Sequence, residues 1–207
     1  MSEISAIVLA AGQSRRMGSA NKLTMPVGGV PLLRRVLESL SAVELQEIVV
    51  VLGHQAQEVL ALLRGLNVRT VLNERFSEGQ MSSVWAGMTA LSRPCAGVMV
   101  SLGDQPLLTA DDLRALILAF DRMGDRSILV PTYRERRGNP IILADRHRQA
   151  ILVGDRNLGC KRLIERNPDL VAPLEMDNDH FVVDIDTMES YRAAVERVGA
   201  NAVTGSG

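Results

Sequence analysis

Two groups of residues in this sequence are of the right type, and sit at the right kind of place, to handle a polyphosphate. The first is Leu9-Ala10-Ala11-Gly12-Gln13-Ser14-Arg15-Arg16-Met17-Gly18, with Lys22 shortly after. Ala10, Ala11 and Gly12 are small enough to let an anion reach backbone N–H groups after a strand. Arg15, Arg16 and Lys22 add compensating charge, and a guanidinium can grip phosphate oxygens in pairs. The loop lacks the Gly-Lys-Ser/Thr ending of a Walker loop and is not a G-x-G-x-x-G fingerprint. A glycine turn alone could be purely structural, and the basic residues tip the reading towards an anion. The second group is acidic. Asp104 follows an apolar run in Gly103-Asp104-Gln105-Pro106, and a carboxylate at a strand end can hold a Mg²⁺ that bridges phosphate oxygens. Group transfer from a polyphosphate needs mainly positioning and charge neutralisation, which such a carboxylate beside Arg and Lys supplies. The plain alternative is an Asp capping the next turn. Asp184 and Asp186 alternate in the last apolar run, so on a strand they share a face. Asp186 could also cap the helix that follows.

Further polar segments stand beside these. Gly79-Gln80-Met81-Ser82-Ser83 precedes a helical stretch, where its N–H groups and the Ser82 and Ser83 hydroxyls can reach a ligand or cap the helix. Asn73 ends a strand candidate and could face the same ligand. Arg137-Gly138-Asn139-Pro140 lies between two strand candidates. Arg137 there can bind an acceptor phosphate, or the run Arg134 to Arg137 can be a solvated loop. His54, His147 and His180 show no metal-ligand spacing and are expected at the surface or in loops. Cys95 and Cys160 form no CxxC pair, which points to free thiols in a reducing cytosol. Trp85 is expected in the core.

The positioning elements follow from hydrophobic period. Apolar runs at 4–9, 48–52, 68–72, 97–102, 127–131, 139–143 and 181–185 read as strands. Helical patterns cover 31–41, 55–64, 82–91, 145–151 and 159–167. Another begins after Thr109, a good N-cap ahead of Asp111 and Asp112, and a last one begins after Thr187. Apolar strands alternating with helices imply a doubly wound, mostly parallel sheet in a three-layer α/β/α sandwich. Ligands of such folds bind beyond the carboxyl ends of the strands. Polar motifs fall at three such ends, after Leu9, after Leu102 and after Ile185. One domain is expected over 1–200, with 201–207 a disordered tail.

Bulk properties narrow the partners. With 207 residues, 46% of them apolar, the chain can bury a real core, and a net charge of −1 gives no drive for nonspecific nucleic-acid binding. No apolar stretch is long enough to span a bilayer, and the N-terminus lacks the basic start of a signal peptide. A soluble, cytoplasmic protein is expected, with no nucleic-acid or membrane partner.

The segment L-A-A-G-Q-S-R-R-M-G-S-A-N-K resembles the signature of the MobA-like NTP transferases, and the resemblance extends over nearly the whole chain. It continues through P-V-G-G-V-P-L-L from Pro26, G-Q-M-S-S-V from Gly79, G-D-Q-P from Gly103, R-G-N-P from Arg137 and D-I-D-T from Asp184. The combination is similar to the molybdenum cofactor cytidylyltransferase branch, and Ala11, where guanylyltransferase relatives usually have Gly, leans the same way. The resemblance implies a nucleotide-diphospho-sugar-transferase-like fold and a nucleotidyltransferase that joins CMP from CTP to a molybdopterin phosphate. It implies Arg16, Lys22 and Asp104 as catalytic residues, and Mg²⁺ on Asp104 and Asp186. It implies nucleotide binding by Leu9 to Gly12, Arg16, Lys22, Asn73, Gly79, Ser83 and Asp104, with Ser83 reading the pyrimidine. Gln80, Ser82, Arg137 and Asn139 fall to the acceptor. A molybdenum hydroxylase apoenzyme is the expected recipient. Other readings are a cytidylyltransferase for methylerythritol phosphate or a sugar phosphate, a non-catalytic maturation chaperone for such a hydroxylase, and a nicotinamide-dependent reductase.

Overall fold

A computed structural model of the chain describes residues 3–18, 20–153 and 160–204. In chain order the elements are β1 (Ile4–Ala10), β2 (Pro26–Val27), β3 (Val30–Pro31), α1 (Leu32–Ser41), β4 (Ile48–Leu52), α2 (Ala56–Ala61), β5 (Arg69–Leu72), α3 (Gln80–Ala90), β6 (Gly97–Leu102) and α4 (Ala110–Arg122). They continue with β7 (Ile128–Tyr133), β8 (Arg136–Arg137), β9 (Ile141–Ala144), α5 (Arg146–Val153), α6 (Cys160–Arg166), β10 (Val171–Glu175) and α7 (Met188–Thr204). The main sheet runs β10-β7-β9-β6-β1-β4-β5, with β8 paired to β7. β1, β4, β5 and β6 are mutually parallel, β10 is parallel to β7, and β9 runs antiparallel to both β6 and β7. A mostly parallel sheet with helices on both faces is the architecture the alternating pattern predicts.

β1 shows how the sequence builds the layers. Ile4, Ala6, Val8 and Ala10 turn to one face and pack with α1 and α4 through Leu33, Leu37, Leu113 and Leu116. Ile7 turns to the other, against Val84 and Met88 of α3. Gly87 lets that helix sit close, since a Cβ there would stand 3.0 Å from Ile7. Thr109 caps α4 in a full capping box with Asp112, as its spacing indicates. A third cluster joins α7, through Ala194 and Val198, to Met17, Val27, Leu107 and Ile185.

One expected strand is absent and one observed strand was not expected. Residues 181–185 form no strand: His180–Val182 is a single 3-10 turn and the rest is irregular. The run looks strand-like because Phe181 and Ile185 are fully buried, but they anchor in two different clusters. The outer strand is instead β10, Val-Ala-Pro-Leu-Glu, whose proline is tolerated at a sheet edge. The third of the three strand ends expected to carry a motif is therefore an irregular segment. Smaller differences concern length. α2 is shorter than its pattern, α7 runs to Thr204 into the expected tail, and Gly159 and 205–207 lie outside the described residues. His147 is buried rather than exposed, its Nε2 2.7 Å from Ser127 Oγ. Trp85 is half-buried, its indole N–H donating to Leu152 O at 3.2 Å. Among the described residues no helix is long and apolar enough to cross a membrane.

Candidate active site

The first loop leaves β1 at the carboxyl edge of the sheet. Gly103 N–H donates to Leu9 O at 3.1 Å and His54 N–H to Ala11 O at 3.3 Å, so the turns after β6 and β4 hold its base. Ser14, in the left-handed region (φ 49°), starts a tight turn through Arg15–Met17, and Gly18 (φ 71°) ends it. Met17 is buried against α7 and fixes the far end. Gly12 has open space where a Cβ would project. Packing does not demand glycine there, and the opening faces a cleft of about 970 Å³. That is the room a polyphosphate needs to approach backbone N–H groups.

Lys22 crosses this cleft. Its Nζ donates to Asp104 Oδ2 at 2.5 Å, Ile185 O at 2.7 Å and Asp186 Oδ1 at 3.0 Å. Arg16 Nη2 donates to the other Asp186 oxygen at 2.7 Å. The segment carrying Asp186 is pinned alongside, with Ile185 N–H donating to Asp104 O at 3.0 Å. Burial pulls the Lys22 pKa down, but the two carboxylates outweigh it and hold the pKa above its ordinary value. Burial raises Asp186 while Lys22 and Arg16 lower it, and the net shift is downward. Asp184 lines the same cleft, its pKa raised by burial and by the neighbouring charges of Asp104 and Asp186.

Both capping alternatives are answered by partners. Thr187 Oγ1 accepts Ser190 N–H at 3.1 Å and caps α7, leaving the Asp186 carboxylate to the cations. Asp104 Oδ2 meets Lys22, and its Oδ1 is buried with no hydrogen-bond partner among the described residues.

The opposite wall comes from β5, α3 and the segment after β7. Asn73 does not face the cleft. It is buried, donates through Nδ2 to Ser82 Oγ at 2.8 Å and Ser83 Oγ at 3.0 Å, and accepts Arg75 N–H. Ser83 lines the cleft, while Ser82 donates to Gly79 O and lines a smaller groove beside β5. Gly79, Gln80, Arg137 and Asn139 line the cleft, and Ala10 is buried behind its wall. Phe181 O, not singled out from sequence, joins two motifs. It accepts N–H groups from the Gln105 side chain and the Asn139 backbone, both at 2.8 Å. Gly138 has no room for a side chain there, since a Cβ would stand 2.6 Å from Phe181 O. Phe76 also lines the cleft and went unnoticed in the sequence, although a single aromatic in a polar stretch was a usable signal. Burial pushes the Cys160 thiol, in the cleft floor, up to about 11, so it is not an available nucleophile near neutral pH.

A family model described as the MobA-like NTP transferase domain matches residues 6–171. The chain is 28% identical over 203 residues to nicotine blue oxidoreductase of Paenarthrobacter nicotinovorans, covering 91% of this chain and 95% of that one. It is 32% identical over 135 residues to a probable molybdenum cofactor guanylyltransferase of Natronomonas pharaonis, with 65% and 64% covered. Against the bifunctional protein GlmU of Sorangium cellulosum it is 35% identical over 136 residues, 62% of this chain and 28% of that protein. The chain thus matches little more than a quarter of the length of such relatives. Among solved structures, a homologue of Mycobacterium tuberculosis Rv0371c from Mycobacterium sp. strain JC1 superposes with a TM-score of 0.81 at 27% identity, covering 95% of this chain and 97% of that one.

Proposed function

The chain belongs to the MobA-like NTP transferase family, and from that premise we propose that it transfers CMP from CTP to a phosphate-bearing acceptor, molybdopterin, with release of pyrophosphate. The carrying observation is the Lys22 ammonium held between Asp104 and Asp186 beside the open Gly12 loop. The triphosphate lies along Ala11 and Gly12, whose N–H groups donate to its oxygens. Lys22 and Arg16 turn from the carboxylates to the β- and γ-phosphates. An acceptor phosphate oxygen forms the new bond to the α-phosphorus. The bond from that phosphorus to the bridging oxygen breaks, and its electron pair leaves with pyrophosphate, on which Lys22 and Arg16 stabilise the added charge. Arg137, Asn139 and Gln80 hold the acceptor on the opposite wall. No covalent enzyme intermediate is needed.

Mg²⁺ fits the residues present. Asp104 Oδ1 is buried with no hydrogen-bond partner among the described residues, and Lys22 already marks where positive charge is favoured between the carboxylates. Asp104 and Asp186 would hold it. Among the described residues no group of three or more His, Cys, Asp or Glu could hold a metal ion, so the protein would offer Mg²⁺ two carboxylates only. When bound, the ion would supply Lewis-acid withdrawal of charge from the phosphate.

Ser83 supports a pyrimidine. Its oxygen accepts from Asn73, so its own proton is left for a ligand acceptor. Cytosine O2 is such an acceptor. The reading places the protein in the cytosol, handing its product to a molybdenum hydroxylase apoenzyme. Binding of CTP, GTP and ATP compared side by side with Mg²⁺ tests it. CTP is expected to bind tightest, and a strong GTP preference overturns the assignment of the base.

One observation favours a second reading. The match to nicotine blue oxidoreductase runs nearly end to end, and a dinucleotide pyrophosphate could occupy the same loop in a nicotinamide-dependent reductase. Binding of NADH or NADPH without binding of CTP would establish that reading instead.

A further inference from the structure

The chain has three phenylalanines. Phe120 and Phe181 are buried in the core, whereas Phe76 is partly exposed and is the one aromatic side chain lining the cleft among the described residues. Its position is built. A Cβ at Gly53 would stand 2.6 Å from Ala11 Cβ, 2.8 Å from Phe76 Cβ and 3.0 Å from Phe76 Cγ. The missing side chain at Gly53 is thus what lets Phe76 close up beside the first loop. The His54 ring lies at its other side, with centroids 6.0 Å apart and planes tilted by 51°. The turn that carries Phe76 is braced on both flanks. Arg75 N–H donates to Asn73 Oδ1 at 3.0 Å, and Arg75 Nε donates to Glu78 Oε1 at 2.7 Å. Gly79 then closes the turn in a conformation only glycine adopts easily (φ 109°).

A half-exposed aromatic ring, held rigidly at the edge of a cleft between a phosphate loop and a hydrogen-bond donor, suits a flat π-system as its partner. Ala11, Gly12, Gly79 and Ser83 line the same cleft as the ring. We propose that Phe76 forms one wall of the nucleobase subsite, with the base lying against its ring while Ser83 donates to the base edge. This rests on the reading of the cleft as a nucleoside triphosphate site and adds the surface that separates a nucleotide from a bare polyphosphate. The contact is made by a ring face or edge, so it raises affinity for any nucleobase, while Ser83 supplies discrimination between bases.

The test measures binding of CTP and of inorganic tripolyphosphate, each with Mg²⁺, to the wild-type protein and to F76L and F76W, with melting temperatures taken alongside. Leucine keeps apolar cover over Gly53 but has no ring. The expected result is a loss of roughly tenfold in CTP affinity for F76L, an unchanged tripolyphosphate affinity, and recovery of CTP binding in F76W. Unchanged CTP binding in F76L overturns the assignment, and so does an equal loss of both ligands, because it would make Phe76 a support for the loop rather than a base wall. A wild-type protein that binds tripolyphosphate but no nucleoside triphosphate overturns the transferase reading, and this proposal with it.

Discussion

Replacing Lys22 with methionine probes the centre of the site. The change keeps side-chain length and removes an ammonium with three acceptors around it. The Lys22 side chain is 12% exposed and Asp104 is 16% exposed, so this pair is largely withdrawn from water, while Asp186 at 35% is only partly so. Removing one partner of a fully buried pair costs ~3–5 kcal/mol. Here Arg16 still neutralises Asp186 and water reaches it, so K22M is expected to lose about 2 kcal/mol at neutral pH. The sign with pH follows from the shifts. The raised Lys22 pKa contributes stability that is present below its unfolded value of 10.5 and lost as pH rises through the folded value. The lowered Asp186 pKa contributes stability that is present above its unfolded value of 3.8 and lost as pH falls through the folded value. The gap between wild type and variant should therefore be widest near neutrality and narrow in acid, as the carboxylates protonate. A metal can take the place the ammonium leaves, so Mg²⁺ should raise the melting temperature of K22M more than that of the wild type, where it must displace Lys22. Urea unfolding at neutral and acid pH, with and without Mg²⁺, reads both effects. Equal stability at neutral pH, or a smaller Mg²⁺ response in K22M, refutes the picture of Lys22 as the cation between two carboxylates.

Other perturbations act at single contacts. Asn73→Asp offers Ser83 only acceptors, so the hydroxyl turns away from the cleft. CTP affinity should fall about fivefold, S83A should do the same, and the double variant should lose no more; additive losses by calorimetry would show that Asn73 does not act through Ser83. Gly53→Ala forces a Cβ against Ala11 and Phe76 and should destabilise by ~1–3 kcal/mol while weakening triphosphate binding; a variant with wild-type melting and binding would show that the loop yields freely. Asp112 is raised by burial, but hydrogen bonds from His180, Asn178 and Thr109 outweigh this and hold it at about 2. It therefore contributes about 2 kcal/mol that is present above pH 4 and lost as pH falls towards 2. Urea titrations of D112A should show a matching loss at neutral pH that shrinks in acid, and a constant difference would contradict the shift.

Local chemistry was readable where one segment supplies it. The apolar run of β1, the small residues and basic charge after it, and the Thr109 cap each state their structure in a few neighbouring residues. Asp104 was legible for the same reason, lying directly after a buried strand. Long-range pairing was not. Arg16 and Asp186 meet across 170 positions, and nothing local marks Asp186 as their meeting point. The run from Phe181 to Ile185 has the composition of a strand, yet its apolar residues are spent on anchoring a carboxylate segment to two separate clusters. β10 was hidden by its proline and its half-exposed pattern, both permitted at an edge. Asn73 had the right type and place for a base contact, and only the hydrogen bonds show that it acts on Ser83 instead. Phe76 stood out only as a lone aromatic in a polar stretch, and its place in the cleft depends on the absent side chain of Gly53.

The central claim is that Lys22, Asp104 and Asp186 form a nucleotidyl transfer centre. The direct measurement supplies CTP labelled at its α-phosphate, Mg²⁺ and molybdopterin to the wild-type protein and to D104A, after confirming that the variant is folded. Label should enter the acceptor with one pyrophosphate released per transfer in the wild type, and neither should occur in D104A. Undiminished transfer by folded D104A, or no transfer by the wild type under conditions where it binds CTP, would contradict the account.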